Sequence, residues 1–142
     1  MQICILLPYK ENFTENEAGA VSIFVNDTNK YSKFRDKINV FESKNNKKTL
    51  NNYKNIQLKK KLFLSTSNQY LHNFVKLIDK KNIDVLEVHN RPHYINTLDK
   101  IKNIKKILFF HNDPLKMQGS VTVNERLNLI KKNDKIVFNS YW

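Results

Sequence analysis

Two short apolar segments in the second half of the chain end in the same way, and this repetition constrains the fold most strongly. Residues 84–92 lead through valine and leucine to His89, and residues 106–114 lead through isoleucine and phenylalanine to His111. Each histidine is followed directly by asparagine and, two residues later, by proline. Short segments rich in β-branched and aromatic residues are typical of buried strands, and proline cannot continue a central strand. Each segment is therefore predicted to be a strand that ends close to its histidine.

The shared ending also predicts a site. The carboxyl ends of parallel strands lie along one edge of the sheet, and ligands bind in the crevice outside that edge. His89 and His111 are therefore expected on the same edge, together with Arg91 and Asp113. A structural role is open for each of them: a hydrogen-bonded histidine at a strand end, a surface ion pair for the arginine, and a turn for the aspartate.

The remaining apolar segments alternate with helical patterns along the whole chain. This alternation predicts an α/β domain, a Rossmann-like three-layer sandwich with a parallel sheet, over residues 1–142. The polar stretch 42–55 is predicted to be a surface loop. The predicted strands are residues 2–7, 37–41, one of 56–58 and 62–64, 84–89, 106–111 and 135–140.

Helix signals separate these strands. Ser67 is predicted to cap a helix that runs to about Lys81, with Asn82 as a left-handed stop. A short amphipathic helix is predicted over residues 94–102. Thr122 and Glu125 have the spacing of a capping box, which predicts a helix. The apolar residues of that last helix, expected to face the core, are Val123, Leu127 and Ile130.

The first strand is followed by a polar loop and then by residues 17–21, where Gly19 precedes an apolar helical pattern. A strand, a loop, a glycine and a helix form the arrangement in which backbone N–H groups at a helix N-terminus bind phosphate. The same glycine would equally allow the helix to pack close to the strand, and no GxGxxG motif is present. Both interpretations stay open at this point.

The net charge of +12 does not by itself indicate a nucleic-acid partner. Of the 25 basic residues, 22 are lysine, whereas nucleic-acid recognition favours arginine for bidentate contacts. Lysine clusters with asparagine in polar stretches such as residues 44–55, which is typical of a solvated surface. No nucleic-acid partner is therefore predicted, and a peripheral contact between the lysines and an anionic membrane surface stays open.

Composition also bears on the compartment and on metal binding. Cys4 is the single cysteine and cannot form an intramolecular disulfide, which fits a reducing compartment. No segment has the length of a transmembrane helix, and the amino-terminal apolar segment is too short for a signal peptide. A cytoplasmic location is expected. His89 and His93 are separated by a proline and HExxH is absent, so no metal site is predicted.

The order and spacing of these motifs resemble the N-terminal domain of the family 4 glycosyltransferases, a retaining group with the GT-B fold. The resemblance spans nearly the whole chain, and members close to this pattern act in lipopolysaccharide or capsule assembly. The matching stretches are residues 17–21, 88–92, 110–119, 124–127 and 135–140.

The resemblance implies a role for each candidate residue. His111 would be catalytic and would face the transferred sugar. Gly19 and Ala20 would bind the donor phosphates, although the paired glycine usual in the family is replaced here by Ala18 and Gly19. The residues implied on the acceptor side are His89, Asn90, Arg91, Asn112 and Asp113.

The resemblance further implies the function. The enzyme would transfer a sugar from a nucleotide-sugar donor to a glycan or lipid-linked acceptor, with no metal and no other cofactor. In the family a C-terminal domain binds the donor, and residues 1–142 do not include it. We therefore expect a fragment that is inactive alone. One alternative is a dinucleotide-binding Rossmann domain of another enzyme such as a dehydrogenase, but the absence of GxGxxG and of an acidic residue to bind the ribose counts against it. The other alternative is a non-catalytic Rossmann-like protein that binds nucleotides or nucleic acid.

Overall fold

The computed structural model describes residues 1–11, 13, 18–43, 52–58, 65–78 and 82–139. Its centre is a six-stranded sheet in the order β3-β2-β1-β4-β5-β6, and every neighbouring pair is parallel. The predicted α/β fold with a parallel sheet is thus confirmed. The strands are β1 Ile3–Leu6, β2 Ile38–Ser43, β3 Tyr53–Ile56, β4 Val85–His89, β5 Lys105–Phe110 and β6 Lys135–Phe138.

Helices cover the two faces of the sheet unequally. Three of them, α2 (Thr66–Ile78), α3 (Ile95–Leu98) and α4 (Val123–Lys132), pack on one face, and α1 (Ala20–Tyr31) packs on the other. Strand β1 is buried by both layers because its side chains alternate between them: Cys4 and Leu6 join the larger core cluster, while neighbouring isoleucines join the α1 cluster. Burial on both faces explains why the first apolar segment shows no alternation.

The polar stretch after β2 was predicted to be a loop, and this prediction is wrong at both ends. Glu42 and Ser43 continue β2, and β3 begins at Tyr53, pairing with β2 from Val40↔Tyr53 to Ser43↔Ile56. Pairing with a formed strand supplies hydrogen-bond partners that local composition does not reveal. Of the two segments predicted as the third strand, only Ile56 belongs to β3, and residues 62–64 lie outside the described ranges.

Two helix boundaries also differ from the prediction. The Ser65 side chain accepts a hydrogen bond from the Asn68 backbone N–H at 3.3 Å, so the cap of α2 is Ser65 and not Ser67. Asn82 is not among the left-handed residues, and Lys81 lies outside the described ranges. The helix predicted over residues 94–102 is a single α-turn, Ile95–Leu98, preceded by a 3₁₀ turn, Pro92–Tyr94.

Helix α4 has the predicted start but buries a different face. Its capping box is present, with Thr122 and Glu125 bonded reciprocally. Val123, Leu127 and Ile130 are nevertheless exposed at 62%, 49% and 62%, and the core contact is made by Leu129 at 3%. On the same helix, Asn128 and Lys132 both donate to the side-chain oxygen of Asn96. These bonds are 3.0 and 2.9 Å long.

Candidate functional site

The two strand-end histidines contact each other directly. His89 is the last residue of β4, and His111 follows the last residue of β5. The Nδ1 atom of His89 lies 2.9 Å from the Nε2 atom of His111, which is hydrogen-bond distance. The prediction that both imidazoles lie on the same edge of the sheet is confirmed.

The backbone holds this pair in place beyond the ends of the strands. Asn90 donates its backbone N–H to the Phe109 carbonyl at 2.8 Å, and its side-chain oxygen accepts the His111 backbone N–H at 2.9 Å. Asn90 is buried and has a φ of 54°, a left-handed conformation that asparagine tolerates better than most residues. The His-Asn sequence therefore continues the strand pairing of β4 and β5 and turns the chain at the same point.

Aromatic rings enclose the imidazoles on the α1 face of the sheet. The Phe109 ring stacks on His89 with centroids 4.6 Å apart and planes inclined by 3°. The rings of Phe24 in α1 and His111 pack in a T-shaped arrangement with centroids 4.8 Å apart. His89 is 1% exposed, whereas His111 is half-buried, so His111 is the member of the pair that a ligand can reach.

A third strand end completes the group. Asn139 follows β6, its backbone N–H donates to the Phe110 carbonyl at 3.2 Å, and its side-chain amide nitrogen lies 2.6 Å from His111 Nδ1. The prediction did not include Asn139 in the site, although it too is a polar residue directly after an apolar strand. Among the described residues both ring nitrogens of His111 thus have partners, the inner one in His89 and the outer one in Asn139.

Burial keeps both histidines neutral. Desolvation lowers the pKa of His89, and the attraction of the nearby Glu87 only partly opposes this effect. Desolvation, together with repulsion from His89, lowers the pKa of His111 to about 4. At neutral pH the pair therefore acts through neutral imidazoles, which donate from one nitrogen and accept at the other.

The other predicted acceptor residues lie at the same edge in different roles. Arg91 donates from Nη1 to the Asn90 carbonyl at 2.8 Å, and Asn112 is exposed. Asp113 accepts the Leu115 N–H at 2.9 Å and so caps the 3₁₀ turn Pro114–Lys116. Its contacts are those of a turn former, the alternative open from the sequence. It is not a ring partner of His111, a role that belongs to His89 and Asn139.

The predicted phosphate site at the start of α1 has a carboxylate of the chain itself against it. Gly19 is the N-cap of α1, and a side chain there would overlap the Glu11 carboxylate. Glu11 Oε2 also accepts the Ser22 backbone N–H at 3.4 Å. A carboxylate at a helix N-terminus is favoured for the same reason as a phosphate, because the N–H groups and the helix dipole attract negative charge. The Glu11 carboxylate therefore occupies the position beside Gly19 where a phosphate was expected.

A buried glutamate at the end of β2 bears on the dinucleotide alternative. In dinucleotide-binding folds an acidic residue about 20 positions after the glycines binds the ribose. No such residue is predicted from the sequence, yet Glu42 lies at that position, near the end of β2. Glu42 is fully buried, it accepts the Phe13 backbone N–H at 3.0 Å, and burial raises the pKa of its carboxyl. It holds the loop before α1 and presents no surface to a ligand.

Comparisons with known proteins do not identify the chain: no family model, curated protein or solved structure matches it. In the part of the chain that the structure describes, no helix is long and apolar enough to cross a membrane. The same ranges hold no group of three or more His, Cys, Asp or Glu side chains suited to a metal ion. The strand-end residues His89, His111 and Asn139 are therefore the main structural indication of a function.

Proposed function

We propose that this chain is the acceptor-side, Rossmann-like domain of a retaining glycosyltransferase of the GT-B type. The observation that carries the proposal is the hydrogen-bonded pair His89–His111 at the carboxyl edge of the sheet. Sites of open α/β sheets lie at that edge, and a neutral, half-buried imidazole suits the binding of an uncharged sugar. The enzyme would transfer a sugar from a nucleotide-sugar to a glycan or lipid-linked acceptor in cell-envelope polysaccharide synthesis.

The candidate residues divide between the two substrates. His111 is the proposed catalytic residue, because it touches the transferred sugar and orients it against the leaving phosphate. His89 and Asn90 fix its position, and Arg91, Asn112 and Asp113 line the acceptor side of the same edge. The remaining pair, Gly19 and Ala20, would approach the donor phosphates once Glu11 moves aside.

The donor-binding domain is the main partner that this function requires. In the resembling family a second domain holds the nucleotide, and the positioning and charge stabilisation that it supplies account for much of the rate. We expect residues 1–142 alone to transfer no measurable sugar. The sugar transfer would take place in the cytoplasm, with lysine side chains in peripheral contact with an anionic membrane surface.

Substitution of His111 tests the proposal in an assembly that includes a donor-binding domain of the same family. We expect His111→Ala to lower kcat on the order of a hundredfold, which is typical for the loss of one preorganised polar contact in the transition state. Donor affinity should change less, because the nucleotide binds elsewhere. His72→Ala is the control, since His72 is an exposed histidine on α2. Near-normal kcat in folded His111→Ala would reject the catalytic role.

Nucleic-acid binding by a non-catalytic Rossmann-like protein is the second candidate, for which the net charge of +12 would supply the electrostatic attraction. Binding to a phosphate backbone releases counterions, so its affinity falls steeply as salt rises. Retention of the chain on heparin measured over a salt series separates the two functions. A steep loss of retention together with tight, salt-dependent binding to a nucleic acid would favour the alternative.

A further inference from the structure

Glu87 lies beside the histidine pair and is not among the residues proposed to bind the donor or the acceptor. It lies two residues before His89 on β4, so both side chains project from the same face of the sheet. Its Oε2 atom is 3.7 Å from His89 Nε2, within ion-pair range but longer than a hydrogen bond. No described residue hydrogen-bonds to that buried nitrogen. The nearby carboxylate therefore acts on it through its charge.

A negative charge at this distance selects one tautomer of His89. When the proton is on Nε2, the N–H dipole points toward the carboxylate. When it is on Nδ1, the bare lone pair of Nε2 faces the carboxylate and is repelled, and burial strengthens this difference because water does not screen it. Glu87 thus favours the Nε2–H form of His89, in which Nδ1 is an acceptor.

The tautomer of His89 determines the tautomer of His111, because the two rings share one hydrogen bond of 2.9 Å. If His89 Nδ1 accepts, then His111 Nε2 must donate, and the neutral ring of His111 has a bare Nδ1. Asn139 fits this arrangement, because its side-chain amide nitrogen, a donor, lies 2.6 Å from that atom. The partners at both ends of the pair favour the same proton arrangement.

We propose that Glu87 is a positioning residue that sets the tautomer of both histidines, so that His111 presents Nδ1 outward as a hydrogen-bond acceptor. A ligand that replaces the Asn139 amide must then bring a donor, and the hydroxyl group of a sugar is such a donor. This inference rests on the proposed function for its ligand. It adds a substrate requirement, a free hydroxyl group on the sugar at the position that contacts His111. A deoxy or O-methyl sugar lacks this donor.

Nitrogen NMR of histidine-labelled protein at neutral pH tests the positioning role. Protonated and bare imidazole nitrogens resonate far apart, so each ring reports its tautomer directly. The wild-type chain should show Nε2–H as the dominant form of both His89 and His111. Glu87→Met keeps the side-chain length and removes the charge, and it should lose this dominance, giving mixed tautomers at both rings.

The control removes one negative charge far from the pair. Asp36→Asn serves because the Asp36 side chain is 91% exposed and pairs with its own neighbour Arg35. It should leave both tautomers as in the wild type, whereas an equal effect of both variants would overturn the inference. If Glu87→Met does not fold, Glu87→Gln keeps the shape without the charge and should still weaken the tautomer preference.

Two results contradict the inference outright. One is a wild-type His111 that carries its proton on Nδ1. The other is a folded Glu87 variant whose two histidines keep the wild-type tautomers. The measurement uses neither sugar nor nucleotide, so its failure is distinct from the failure of the proposed function. Normal transfer by His111→Ala would reject the catalytic role of His111 and leave the tautomer result standing.

Discussion

The sheet has two regions at its carboxyl edge where the sequence predicted ligand binding, and they differ in what occupies them. At the ends of β4 and β5, His89 and His111 meet as expected and one imidazole is half-exposed. At the start of α1, the anion position beside Gly19 is taken by the Glu11 carboxylate. One region presents an accessible side chain, and the other is closed by its own loop.

The difference follows from how each region is held. The histidines are placed by the pairing of β4 with β5, which continues through the backbone bond from Asn90 to Phe109. Residues attached to a hydrogen-bonded ladder have little freedom, so spacing along the strand predicts their meeting. Before α1, the Phe13 backbone N–H donates to Glu42, a contact distant in sequence that no local pattern predicts.

The largest expected effect on stability is at the ends of β4 and β5, where the two histidines lie. Asn90→Ala removes the acceptor for the His111 backbone N–H and puts alanine, which tolerates the left-handed conformation less well than asparagine, at a φ of 54°. We expect a loss of about 2–4 kcal/mol in the free energy of unfolding, measured by urea denaturation. Asn90→Gly loses the same hydrogen bond without the backbone strain and should lose about 1–2 kcal/mol less. Equal losses in the two variants would mean that the left-handed turn is not strained.

Acid should weaken the same region next. His111 has a pKa lowered from 6.5 to about 4, so between those values the unfolded chain binds more protons than the folded chain. The contribution is complete above about pH 6.5 and is lost as the pH falls toward 4. Because His111 is partly exposed, we expect about 1–2 kcal/mol after screening. Urea denaturation at pH 7 and pH 4.5 measures it, with His111→Asn as the reference.

The reference variant decides the outcome of that experiment. Other groups titrate over the same interval, so the prediction concerns the difference between the two proteins. His111→Asn should lose less stability than the wild type between the two pH values. If both proteins lose the same amount, then the neutral imidazole of His111 adds nothing to the pH dependence.

The smallest effect is expected at the closed region. Glu11→Gln removes the negative charge from the N-terminus of α1 and should lower the free energy of unfolding by about 0.3–1 kcal/mol. It should also raise the affinity for inorganic pyrophosphate, because the resident carboxylate no longer repels it. Calorimetric titration of both proteins measures this, with Asp36→Asn as the charge control. Unchanged affinity would show that the helix start is no phosphate site.

Helix α4 shows the limit of local patterns within one element. Its capping box is a contact between residues three apart, and the spacing of Thr122 and Glu125 predicted it correctly. Its apolar stripe was also recognised, but Val123, Leu127 and Ile130 face away from the core while Leu129 faces inward. The rotation about the helix axis is set by which residue packs into the core, here Leu129, and that contact depends on elements far away in the sequence.

The sequence by itself determined that β4 and β5 end close to His89 and His111, and that both histidines lie on one edge of the sheet. Apolar segments, prolines and the geometry of parallel sheets act locally or follow from one topological rule. Only the tertiary structure decided that Asn139 and Glu87 flank the pair, and that Glu11 lies against Gly19. These contacts join side chains whose positions depend on strand order, helix rotation and loop path. Such features arise from long-range packing, so the residue order alone did not reveal them.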